Sequence, residues 1–123
     1  MKFDKMSSKE RSLLLYFESR IVDNNGCIDT KHINSEDKDI AECWKEEGFI
    51  EYKRIPMAVI EKRVSVAKNE THHVLFSEEA WEFAHKERRA RHVRTFKKFK
   101  EHHKEDLIDH KNWKKEFEGE VNE

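Results

Sequence analysis

Turn-forming residues are scarce in this chain. Among 123 residues there are three glycines and one proline, and none of the four lies between Pro56 and Gly119. That excludes a loop-rich or low-complexity protein and allows long uninterrupted segments in the second half. Two cysteines, Cys27 and Cys43, are too few for a disulfide framework, and they read as small, reduced core residues. No apolar run approaches the roughly eighteen residues that a membrane-spanning helix needs. With no secretory leader recognisable either, we expect a soluble cytoplasmic protein with no membrane partner. Gly26, Gly48 and Gly119 are too far apart to build a phosphate-cradling loop. No nucleophile–base pattern stands out, so we expect no enzyme, no catalytic residue and no cofactor.

Charge is abundant instead. Charged residues make up 41% of the chain and hydrophobic ones 36%, and the formal net charge is only −1. The balance hides strong segregation. Residues 29–51 hold eight acids against three Lys/Arg, and residues 52–68 hold five bases against one acid. Residues 86–104 hold nine bases against two acids, and residues 105–123 hold seven acids against three bases. Blocks of one sign speak to partners rather than to fold.

The local signals predict a mixed α+β chain, mainly helical. Ser7 with Glu10 three residues on is a capping box that should start a helix near Ser8. Leu13, Leu14, Phe17 and Ile21 would form its inner face, and Asp23–Gly26 should stop it. Cys27–Asp29 suits a short strand, followed by a helical turn capped by Asp29 or Thr30 and running to Ile33. Ser35 is the expected cap of the next helix, with Ile40, Ala41, Cys43 and Trp44 inward and Gly48 at its end. Residues 49–55 alternate as a half-buried strand should, and Pro56 ends them. Pro56–Ile60 reads as loop, leading into strands over 59–67 and 71–76 around a turn at Lys68-Asn69-Glu70. Ser77 should cap a helix from residue 78 to about 118, unless a bend near Lys104 divides it. Trp44 and Trp81 are expected core anchors.

Two of these segments carry a family resemblance. Ile40-Ala41-Glu42-Cys43-Trp44-Lys45-Glu46-Glu47-Gly48-Phe49-Ile50 is similar to the recognition helix, glycine and first wing strand of winged-helix proteins. Val74-Leu75-Phe76-Ser77-Glu78-Glu79-Ala80-Trp81 resembles the segment in which the wing's last strand feeds the next helix. The likeness is to MarR-like and PadR-like regulators, over about residues 7–90, with Ala80 where those families often keep glycine. It implies a winged-helix domain over 1–90 and a helical extension over 91–123, basic then acidic. It also implies a DNA-binding transcriptional regulator with double-stranded DNA as partner.

The charges decide which surface could meet DNA. Helix 36–47 carries Glu36, Asp37, Asp39, Glu42, Glu46 and Glu47 against Lys38 and Lys45, so phosphates would repel it. The expected nucleic-acid contacts are therefore Lys53, Arg54, Lys62, Arg63 and Lys68 in the wing, with Arg88, Arg89, Arg91, Arg94, Lys97 and Lys98 in the basic helix. Phe96, Phe99, His103, His110, Trp113 and Phe117 fall at heptad spacing. A homodimer through Val93, Phe96, Phe99, Leu107, Trp113 and Phe117 follows as an expectation. The alternative is a protein-interaction module that offers acidic helix 36–47 to a protein partner. Eight histidines raise a metal site, for which His103, Asp106 and His110 share a helical face. The lysines around them disfavour a cation, and we read them as surface histidines; a metal-dependent nuclease ranks far below the other readings.

Overall fold

The computed structural model describes residues 2–61 and 70–103. It is a mixed α+β fold, mainly helical, with a small three-stranded sheet. The elements are α1 (Ser8–Asn24), β1 (Cys27–Asp29), α2 (Ser35–Glu46), β2 (Ile50–Arg54), α3 (Met57–Glu61), β3 (Glu70–Phe76) and α4 (Glu78–His102). Short 3-10 turns occupy Phe3–Lys5 and Thr30–His32. The chain divides into two compact units, Met1–Arg88 and Arg89–Glu123.

The first unit begins where the capping box requires. Ser7 Oγ accepts from the Glu10 amide at 3.2 Å, and the Glu10 carboxylate accepts from the Ser7 amide at 3.0 Å. α1 ends at Asn25 and Gly26, both at positive φ, and the Gly26 amide closes it by donating to the Arg20 carbonyl. Asp29 caps the following turn, its carboxylate accepting from the Lys31 amide. α2 is capped one residue earlier than expected. Asn34, not Ser35, is the cap, because Asp37 three residues on completes a reciprocal box with it; Ser35 has Lys38 at that spacing and cannot do the same. Gly48 follows the end of α2 with φ +75°, turning the chain into β2 as expected.

The sheet order is β1-β3-β2, antiparallel throughout. Ile50 pairs with Phe76, Tyr52 with Val74 and Arg54 with His72, so the expected pairing of 49–55 with 71–76 holds. Gly26 lies against β3 at close range: a Cβ there would stand 2.4 Å from the Val74 carbonyl oxygen. Three expectations between β2 and β3 are corrected. Residues 57–61 are helical rather than loop or strand, because Pro56 presets φ for a first turn and its carbonyl accepts from the Val59 and Ile60 amides. Glu70 belongs to β3 rather than to a turn. The rest of the strand expected over 59–67 lies outside the described residues.

Packing centres on an aromatic chain. Phe17 of α1 meets Trp44 of α2 edge-on at 6.3 Å and stacks on Tyr52 of β2 at 6.3 Å. Trp44 continues to Phe49 at 5.3 Å, and Phe49 to Phe83 of α4 at 5.2 Å. Leu14, Ile28, Ala41, Val74 and Ala84 fill the space around these rings with no exposed surface. Each buried large side chain stabilises the unit by about 1.5–3 kcal/mol. Cys43 is exposed, contrary to expectation, since Ala41 and Trp44 set the inward stripe of α2 and position 43 lies beside it. Trp81 is half-buried with its ring edge-on to Phe76 at 5.1 Å, a flank of the core rather than its centre.

α4 starts at Ser77, whose Oγ accepts from the Ala80 amide at 3.1 Å while its hydroxyl donates to the Phe49 carbonyl at 2.7 Å. One serine thus caps α4 and ties it to the residue that leads into β2. No helix among the described residues is long and apolar enough to cross a membrane.

Candidate nucleic-acid interface

The expected basic residues fall into three physical situations. Lys53 and Arg54 are exposed on β2, and strand alternation sends them to opposite faces, with Lys53 opposite His73 and Arg54 opposite His72 in the register. Arg54 acts on its neighbour. His72 stacks on Tyr52 at 5.3 Å and shares a 2.8 Å hydrogen bond with Thr71. Burial, then the positive charges of Arg54 and Lys38, hold its imidazole below the ordinary value of 6.5. Burial also pushes the Tyr52 phenol up, with Glu42 adding to it. Lys62, Arg63 and Lys68 lie outside the described residues.

Arg88 is engaged within the first unit. Its Nε donates to the carboxylate of Glu18, a buried residue of α1. One residue earlier, Glu87 is 1% exposed and accepts from Arg11 Nη1 at 2.9 Å. Arg11 also donates to the Met6 and Phe3 carbonyls, each at 3.2 Å, and its guanidinium lies 4.5 Å from the Phe3 ring centre. Lys86 sits near the Phe3 and Phe83 rings. Residues 86–88 therefore fasten α4 to α1 and the N-terminal turn, and a phosphate at Arg88 would compete with Glu18. This pair of oppositely oriented ion pairs is absent from the sequence reading. Its partners are about seventy residues apart in the chain, and no local pattern announces them.

The remaining basic residues belong to the second unit. Arg89, Arg91, Arg94, Lys97 and Lys98 are all exposed on the α4 segment from Arg89 onward. At 3.6 residues per turn, Arg91, Arg94, Lys97 and Lys98 cover about one third of the helix circumference. The opposite face carries rings. His92 stacks with Phe96 at 5.8 Å, Phe96 with Phe99 at 6.3 Å, and Phe99 meets His103 at 4.5 Å. Val93 is 64% exposed and Phe99 42%, while Phe96 is half-buried. Leu107, Trp113 and Phe117, expected with them at a dimer contact, lie outside the described residues, as do Asp106 and His110 of the histidine face. Among the described residues no three His, Cys, Asp or Glu groups come together to hold a metal.

α2 presents the reverse electrostatics. Glu36, Asp39, Glu42, Glu46 and Glu47 are exposed beside Lys38 and Lys45, and Glu36 is paired with Lys9 of α1. A shallow cleft of about 320 Å³ lies between the starts of α1 and α2, lined by Lys9, Ser12, Tyr16, His32, Asn34 and Asp37 among others. Both helix starts beside it carry their own capping boxes, which satisfy the Ser7, Glu10, Asn34 and Asp37 amides. No protein-family model, curated protein or solved structure matches the chain.

Proposed function

We propose that this chain is a winged-helix protein that binds duplex DNA through phosphates and acts in the cytoplasm as a transcriptional regulator. Support for the architecture comes from the order of elements. α2 ends on Gly48 and enters β2 directly, β2 and β3 form an antiparallel pair, and β3 runs through Ser77 into α4. In that reading α2 stands where a recognition helix stands, and residues 55–69 stand where a wing stands. The helical turn of α3 makes this connection longer than a simple hairpin loop.

The observation that carries the functional reading is the exposed cationic face of Arg91, Arg94, Lys97 and Lys98, with Arg89 also exposed but on the side of the helix that carries the rings. Cations on one helix face neutralise phosphates irrespective of sequence, and release of counterions drives such binding. α2 would not enter the groove, since its exposed acids repel phosphate. Replacing Arg91, Arg94 and Lys97 with glutamine should weaken binding to every duplex alike. The slope of log affinity against log salt should shrink by about 0.9 for each contact removed. Unchanged affinity and slope would refute the assignment of this face.

The acidic surface of α2 favours a second reading, a protein-interaction module with a basic partner. Glu42→Lys with Glu46→Lys discriminates the two: stronger non-specific DNA binding places α2 near the duplex, and unchanged DNA binding leaves it to a protein.

A further inference from the structure

Two cations and an imidazole converge at one corner of the first unit. The Ile55 amide donates to the Thr71 carbonyl and the Ser77 amide to the Phe49 carbonyl, so the odd-numbered residues of this strand make its ladder bonds to β3. Arg54 and His72 therefore oppose each other at a non-hydrogen-bonded position, where side chains come closest, about 4.5–5.5 Å between Cβ atoms. The His72 ring is fixed from two sides. It stacks on Tyr52 with the planes 15° apart, and its Nδ1 shares the 2.8 Å bond with Thr71 Oγ1. Nε2 is then the nitrogen the ring can offer. Lys38 stands on the flank of α2 beside buried Ala41, near enough for its charge to act on the ring. Lys38 and Arg54 are exposed, and neither has an ion-pair partner among the described residues. We propose that Lys38, Arg54 and His72 Nε2 form an anion site that holds a phosphate group, and that His72 takes up a proton as the anion binds.

The protein's own groups disfavour the imidazolium here. Burial comes first and the charges of Arg54 and Lys38 next, together holding His72 below 6.5. An anion between the two cations would offset their charge and give an Nε2 proton its acceptor. The nearby acids do not fill that role. Glu42, one turn beyond Lys38 on α2, acts on His72 less than Lys38 does, and it also acts on Tyr52. Glu70, two residues before His72, is taken by Arg20 of α1. On β1 the residue opposite His72 is Ile28, which carries no charge. Donors arriving from α2, β2 and β3 suit a tetrahedral phosphate better than a carboxylate, whose natural partner is a planar fork. The site uses none of the cations from Arg89 onward, so it stands apart from the duplex reading.

Sulfate is the first probe, because it keeps its double charge while histidine titrates. The His72 ring signals of the full chain are followed by NMR against pH, in sodium sulfate and in sodium chloride of equal ionic strength. Sulfate should raise the His72 midpoint above that in chloride. By reciprocity, sulfate should bind at least about fivefold tighter below that midpoint than above it. Arg54→Gln and Lys38→Gln, both at exposed positions, should each reduce the rise. Equal midpoints in the two salts, or a rise that Arg54→Gln leaves intact, would overturn the site. Methyl phosphate and a short duplex then separate a free phosphate ester from a nucleic-acid backbone, the duplex being added to the chain with Arg91, Arg94 and Lys97 changed to glutamine. Movement of His72 by either one supports the phosphate assignment and identifies its source. Movement by sulfate alone would mean an adventitious ion only and overturn it. A chain that binds no duplex yet responds to methyl phosphate would refute the α4 reading and leave this one standing.

Discussion

Removing Arg11 should destabilise the first unit more than any single exposed substitution, and the structure supplies the magnitude. The Arg11 guanidinium answers a carboxylate that is 1% exposed, while the arginine side chain itself is 21% exposed. Breaking a buried pair by deleting one partner costs about 3–5 kcal/mol, because the remaining charge stays in a poorly solvated site. Arg11→Ala deletes the more accessible partner and removes this pairing from the more buried one. It also removes the donors to the Met6 and Phe3 carbonyls, so its cost should lie in the upper half of that range. Glu87→Gln keeps an acceptor oxygen for Arg11 and should cost only about 1–2 kcal/mol. For a unit of this size, each kcal/mol shifts the midpoint by roughly 4–8 °C. Thermal unfolding followed by far-UV circular dichroism would read both changes. Replacing both partners with apolar residues, Arg11→Met with Glu87→Leu, should recover most of the loss. If Arg11→Ala costs no more than Glu87→Gln, the pair is not the fastening between α1 and α4 that the geometry implies.

The two positive-φ glycines should respond unequally to alanine. Gly48→Ala meets nothing within 4 Å and should cost the backbone term alone, about 1–2 kcal/mol; Gly26→Ala adds a clash with the Val74 carbonyl and should cost distinctly more in urea unfolding. His72 should make stability pH-dependent in acid. Its folded value is held below 6.5, so the unfolded chain binds the extra proton first, and stability present above pH 6.5 falls as the pH drops toward the folded value. His72→Phe should remove that component, and an unchanged pH profile would contradict the burial of the neutral ring. Ser77→Ala loses both the α4 cap and the tie to Phe49, and should cost about 1–2 kcal/mol by the same unfolding assay.

Local chemistry was the legible part of this chain. The Ser7–Glu10 box, the stop at Asn25-Gly26, the Gly48 turn into β2 and the Ser77 cap are each set by neighbours within a few residues. The Asn34–Asp37 box was legible in principle, since the acid three residues on was the deciding signal. Met57–Glu61 was hidden by composition: Val59 and Ile60 favour strands, and the preset backbone of Pro56 overrode them. What could not be read were the long-range pairings. Arg88 looks like Arg89 and Arg91 in the sequence, and only the approach of Glu18 on α1 separates it from them. The same limit applies to Arg11 and Glu87, which carry no mark of burial in their own segments.

The most direct test of the central claim is equilibrium binding of the full chain to a labelled random duplex, read by fluorescence anisotropy across a salt series. If the exposed face of Arg91, Arg94, Lys97 and Lys98 contacts four phosphates, log affinity should fall against log salt with a slope near −3.6, at about 0.9 per contact. The affinity should also be alike for unrelated duplex sequences. Absence of binding at low salt would contradict the phosphate-binding account and leave the acidic surface of α2 as the better-supported functional surface.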